Sequence, residues 1–235
     1  MWVRPIRWPI PPRIAAAVLG DRPTGAGPPG GDTTRPVFSV AVRAFWERLN
    51  ELRPRSWPGP AAWDRGDRAR RRTERTLFSL QKDGFVSLHG RTVSFADDEN
   101  YPSPIDHLVI GPTGVFIIYS EEWDKRLPVR ALSPPLRLLH GPFDKRARLD
   151  EAQQAADAAS QLLSAATDLE VRVTPALAIF GPTVPFKVLT MRGVDIYSGT
   201  RVRYYLRSRK AQGLTGVEIE SILQAARTAF PASTR

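Results

Sequence analysis

The chain of 235 residues carries 34 Lys+Arg against 24 Asp+Glu, a formal net charge of +10, and 42% of its residues are hydrophobic. That apolar share excludes disorder throughout, and the length allows one ordinary domain with an appendage or two small domains. The absence of Cys excludes disulfides, thiolate zinc sites and cysteine nucleophiles, and no apolar run nears the ~20 residues that span a bilayer.

Residues 1–36 contain eight Pro and two Gly-rich patches. Proline removes backbone donors and glycine is costly to order, so this stretch is not expected to pack. The apolar run Ile14–Leu19 is too short for a secretory signal core, which makes the reading cytoplasmic. Gly25-Ala-Gly27-Pro-Pro-Gly30 has the spacing of a dinucleotide-binding turn, but two prolines fill it and no strand precedes it, so it is rejected. A short amphipathic helix is expected over 38–53, with Val42, Phe45, Trp46 and Leu49 at helical spacing. Pro54, Pro58 and Pro60 then break the chain. This divides the protein into a Pro/Gly-rich, basic, largely disordered segment over 1–60 and a folded domain over 61–235.

Within that domain, Asp67 to Asp83 reads as a helix with Ala69, Thr73, Leu77 and Leu80 on one stripe and Gly84 as its stop. Phe85–His89 alternates like a strand, and 97–104 reads as a loop. Two apolar runs, Ile105–Ile110 and Val115–Ser120, flank Gly111-Pro-Thr-Gly114, which is the strongest hairpin signal in the chain. A further strand is expected at Val129–Ser133, an alanine-rich helix at Asp144–Ser164, a buried strand at Val171–Phe180 and a short strand at Val194–Tyr197. Helices near Thr200–Gln212 and Gly216–Phe230 close the chain. This order gives an α/β fold with a mixed central β-sheet flanked by helices.

The block Ile105-Asp-His-Leu-Val-Ile-Gly-Pro-Thr-Gly-Val-Phe-Ile-Ile118, with Trp63 and Gly66 before it, resembles the nuclease-related domain (NERD) family. Val173-Thr-Pro175, Gly181, Val184-Pro185 and Gly193-Val194 resemble the later part of such domains, so the resemblance spans roughly 61–230. It implies a PD-(D/E)xK restriction-endonuclease-like core and metal-dependent phosphodiester cleavage. In that chemistry carboxylates hold a hard divalent ion, Mg or Mn, which polarises the phosphate and generates hydroxide. A carboxylate at i and a Lys at i+2 on one strand share a face.

Carried over residue by residue, the pattern keeps Asp106 and loses the rest. Tyr119 stands where the strand carboxylate is expected, Glu121 where the Lys is expected and Arg70 where the helical Glu is expected. Two of these three changes reverse the charge. A rebuilt set of Asp106, Glu121 and Glu74 could hold a metal, with Asp106 and Glu121 as its core. Alternatively, Arg70 pairs with one of the old carboxylates and cleavage is gone. The second reading is adopted, and with it no metal or cofactor is expected.

His107 should point to the opposite face from Asp106 and be buried and hydrogen-bonded, while His89 and His140 have no companions at metal spacing. Gln153 and Gln154 read as solvated helix positions. Basic residues concentrate at both ends of the chain: nine basic and four acidic in 1–60, eighteen of each in 61–200, and seven and two in 201–235. Only five of the 34 are Lys, an Arg bias that codon composition also produces. Arg68, Arg71 and Arg72 on the first helix and Arg201, Arg203, Tyr204, Arg207, Arg209 and Lys210 near the end combine phosphate-binding cations with a stacking aromatic. The expected partners are DNA or RNA, with a protein partner through the N-terminal segment as the other route. The reading is a degenerate nuclease-like fold that binds nucleic acid or acts as a scaffold. Its rivals are an active metal-dependent DNA or RNA endonuclease with migrated ligands and a protein-interaction module without nucleic acid.

Overall fold

The computed structural model describes residues 60–95, 98–133, 136–209 and 213–233. The expectations for the N-terminal segment, including the helix over 38–53, lie outside those residues. The first described helix, α1, runs Pro60–Phe78. Ala69, Thr73, Leu77 and Leu80 are buried, as their spacing predicts. A 3-10 turn, Gln81–Asp83, follows, and Gly84 ends it at φ +80°, a conformation that costs a residue without a Cβ nothing.

Strand β1 (Val86–Phe95) pairs antiparallel with β2 (Asp98–Gly111), and β2 pairs antiparallel with β3 (Gly114–Glu122). The segment expected as a loop is therefore part of β2, as far as Asp98 is described. Its prolines are tolerated because the β2–β3 ladder stops at His107↔Ile118, leaving the start of β2 paired on one side only, to β1. The hairpin around Pro112-Thr113 forms as read, with Gly111 facing Gly114.

The chain then leaves the sheet. Strands β4 (Val129–Leu132), β5 (Arg137–His140) and β6 (Phe143–Asp144) make a separate three-stranded sheet, of which only β4 is legible in the sequence. Helix α2 (Arg146–Thr167) carries the chain back to β7 (Val173–Phe180), which lies parallel to β3. Strand β8 (Leu189–Met191), unanticipated, is antiparallel to β9 (Val194–Ser198), itself parallel to β7. The main sheet thus has the order β1-β2-β3-β7-β9-β8. Helix α3 (Val202–Ser208) follows a 3-10 turn at Gly199–Arg201, so the helix expected from Thr200 is shorter than read. Helix α4 (Gly216–Ala229) starts on a capping box between Thr215 and Glu218.

Apolar residues of α1 and α3 pack with Val109, Phe116, Ile118 and Tyr197 on one face of the sheet. Those of α2 and α4 pack with Leu108, Ile117, Leu177 and Ile196 on the other. The α/β architecture, a mixed sheet between helices, is the one expected. Among the described residues no helix is long and apolar enough to cross a membrane.

Candidate active site and basic surface

Asp106 sits one residue before the β2–β3 ladder begins, where it is reached from two elements. Its Oδ2 accepts the backbone N–H of Ser120 at 3.0 Å. Its Oδ1 lies 3.4 Å from Nη1 of Arg70, whose Nη2 also pairs with Asp67. Ser120 Oγ donates to Thr73 Oγ1 at 2.7 Å in a buried contact, which fixes α1 over β3 beside this carboxylate. At the helical position where the family resemblance leads to the expectation of a Glu, the side chain that reaches Asp106 is the Arg70 guanidinium.

Tyr119 and Glu121 share the α2 face of β3 through strand alternation. There they meet Arg148 from the first turn of α2. Arg148 Nε donates to Glu121 Oε1 at 2.6 Å, its Nη1 lies 3.3 Å from Glu151, and its guanidinium stands 4.2 Å from the centre of the Tyr119 ring. Glu121 Oε2 accepts the Trp123 indole N–H at 2.6 Å. Burial alone would raise the Glu121 carboxyl, but Arg148, the indole and Lys145 hold it below the ordinary carboxylate range. Burial likewise opposes the charge on Arg148, and Glu121, Tyr119, Asp106 and Glu151 together raise its pKa. The buried Tyr119 phenol is pushed up to about 12 by desolvation, with Arg148 opposing and Asp106 and Glu151 adding. It stays neutral at physiological pH.

The rebuilt ligand set is not assembled. Glu74 lies exposed with Arg71, Arg75 and Phe78 and makes no contact with Asp106 or Glu121. Both oxygens of Asp106 and both of Glu121 already face N–H donors, three of these four contacts falling at 3.0 Å or less. Among the described residues no three His, Cys, Asp or Glu are grouped to hold a metal ion. The donor chemistry here, two carboxylates each met by a guanidinium, does not fit a divalent cation.

Sequence reasoning missed Arg148. A signal was available: α2 has no acidic residue in its first turn and carries Arg146 and Arg148 there, against the helix dipole. Cations so placed need carboxylate partners, and Asp144 and Glu121 supply them.

His107 faces the α1 side as expected, buried, with Nδ1 2.8 Å from Nδ1 of His89. The two face each other across the β1–β2 ladder, a pairing that the sequence reading does not anticipate, and Ser87 Oγ meets the other nitrogen of His89 at 3.1 Å. Burial, with help from His89 and Arg70, lowers the His107 pKa to about 3. His140 instead meets the Asp124 carbonyl and stacks on Trp123. Gln153 is partly buried and donates to Asp157, contrary to a solvated position, while Gln154 is exposed.

The two basic clusters lie on helices that share one face of the sheet. Arg203 on α3 donates to Ser79 Oγ at 2.6 Å just past α1, and Arg207 pairs with Asp83 at 2.6 Å. Arg68 faces Glu122 at 3.4 Å, and Arg72 stands 5.8 Å over the Phe180 ring. Arg71 is exposed, as is Tyr204. Arg201 donates to the Phe186 carbonyl, and Arg209 pairs at 2.7 Å with the buried Asp195, which also accepts from Tyr205 and Thr190. Those last two arginines thus hold the fold together. Lys210 lies outside the described residues.

Residues 65–179 match the family model of the nuclease-related domain, NERD. The match ends within β7, short of the span to 230 read from sequence, so the similarity noted at Gly181 and beyond falls outside it. No curated protein and no solved structure matches the chain. The mixed sheet is consistent with a PD-(D/E)xK core, and residues 65–179 belong to the nuclease-related domain family.

Proposed function

We propose that this nuclease-related domain has lost phosphodiester cleavage and acts as a nucleic-acid-binding module or scaffold. The observation that carries the reading is the pair of guanidiniums at the old centre, Arg70 on Asp106 and Arg148 on Glu121. Cleavage of a phosphodiester needs an anionic donor set that concentrates a divalent ion. Here each carboxylate is neutralised from within the chain, and the strand position for the metal-binding carboxylate is a neutral phenol under a cation. The binding half of the reading rests on the exposed arginines of α1 and α3, which lie on one side of the sheet.

Binding is tested by fluorescence anisotropy with labelled duplex DNA over a salt titration. The expected outcome is affinity that falls as salt rises, with a log–log slope of about −0.9 per phosphate neutralised. Replacing Arg68, Arg71, Arg72 and Arg203 by Ala should flatten that slope. Absence of binding at low ionic strength on both duplex and single strands would reject the nucleic-acid role and favour a protein scaffold.

A further inference from the structure

We infer that the outer surface of α1 and α3 is a docking platform for single-stranded nucleic acid, with Phe78 and Tyr204 as base-stacking residues. The inference rests on the nucleic-acid reading above and specifies its partner.

Phe78 is 71% exposed and Tyr204 is 55% exposed, each at the solvent face of a helix whose exposed charges there are mostly cationic, Glu74 being the one anion beside Phe78. Neither ring serves the core: α1 buries Ala69, Thr73 and Leu77, and α3 buries Val202, Tyr205 and Leu206. Phe78 shares its stretch of surface with Glu74 and with Arg75 and Arg71, the two arginines lying about one and two turns back along α1. Among the described residues, neither of those arginines has an ion-pair partner. Tyr204 is adjacent in sequence to Arg203, which donates to Ser79, the residue after Phe78. The Arg203–Ser79 and Arg207–Asp83 contacts tie α3 to the chain just past α1, which brings the helix segments that carry the two exposed aromatics together.

An occupant of such a surface must present negative charge together with flat apolar faces. A single strand offers both, because its bases are unpaired and its phosphates are regularly spaced. A duplex hides its base faces in the stack. The N-terminal segment of this chain is a poor match, since residues 1–60 carry nine basic and four acidic side chains and would repel the patch. The platform also lies on the sheet face opposite Tyr119 and Glu121, so engagement does not depend on the old cleft.

The test compares wild-type protein with Phe78→Ala, Tyr204→Ala and the double variant, using labelled oligothymidylate, a blunt DNA duplex and phosphatidylserine–phosphatidylcholine vesicles. Both side chains are exposed, so the variants should keep the wild-type melting temperature, which is measured alongside. The double variant should lose about tenfold or more in affinity for oligothymidylate and stay within about twofold on the duplex. Duplex binding with unchanged oligothymidylate affinity in the double variant would overturn this inference and leave the broader reading standing. Equal losses on both nucleic acids would overturn it too, because stacking on Phe78 and Tyr204 selects single strands. Binding to neither nucleic acid would overturn both readings. Vesicle binding that vanishes in Phe78→Ala, without binding to either nucleic acid, would reassign the surface to an anionic membrane.

Discussion

One guanidinium organises the α2 side of the cleft. Arg148 bonds Glu121, pairs with Glu151 and covers the Tyr119 ring, so removing it leaves a partly buried carboxylate with the Trp123 indole as its hydrogen-bond donor and Lys145 as the remaining nearby cation. Arg148→Met should destabilise the domain by about 1–3 kcal/mol in denaturant unfolding, reduced from a fully buried pair by the residual exposure of both partners. Adding Glu121→Gln should recover part of that loss, since the unpaired charge is then gone. Additive losses in the double variant would mean that the two side chains do not interact. His107 sets a separate pH dependence. Its folded pKa, lowered to about 3, lies below the unfolded value of about 6.5, so the unfolded chain binds the extra proton between those limits. Stability from this group is present above pH ~6.5 and falls by roughly 1.4 kcal/mol per pH unit as pH drops below it. Burial also lowers the pKa of His89, which acts in the same direction. Thermal melts across that range should show a shallower acid slope in His107→Asn; an unchanged slope would contradict the assignment.

At the scale of elements, the end of β7 is locked to the strand end beyond β3. Trp123 N–H donates to the Phe180 carbonyl at 2.9 Å, and the next residue, Gly181, turns at φ +102° with its missing Cβ directed at the Trp123 carbonyl. An alanine there meets backbone and an unfavourable φ together, so Gly181→Ala should cost about 1–3 kcal/mol in unfolding free energy. A neutral result would show that the junction can relax. The elements themselves were legible to different degrees. The β2–β3 hairpin was plain because two apolar runs flank Pro-Thr between glycines, and α1 was plain from its buried stripe. Residues 98–104 resisted because their strand character comes from the opposite strand, β1, and not from their own polar, proline-containing sequence. The strands β5, β6 and β8 are two to four residues long, too short for a period to show. At the site, the family resemblance drew attention to Arg70, Tyr119 and Glu121, but the cation that meets Glu121 comes from α2, 27 residues on. Only the crossover from β3 to β7 brings it there. The His89–His107 contact was hidden for a related reason: it depends on strand register, which neither residue announces.

Across the domain, the two sheet faces differ in their charge. On the α2 side and at the end of β2, Asp106 and Glu121 are met by Arg70 and Arg148, the pairing on which the proposed loss of cleavage rests. On the α1–α3 side, exposed arginines remain available to phosphates, within a chain whose net charge is +10. The two properties are separable: charge reversal in the cleft does not weaken the basic face, and neutralising the basic face does not reopen the cleft. The proposed loss of cleavage is tested by a nicking assay on supercoiled plasmid with Mg²⁺ or Mn²⁺, run on the wild-type protein beside Asp106→Ala. Supercoiled DNA should stay intact with both proteins and both ions; metal-dependent nicking by the wild type that disappears in Asp106→Ala would show that the site still cleaves.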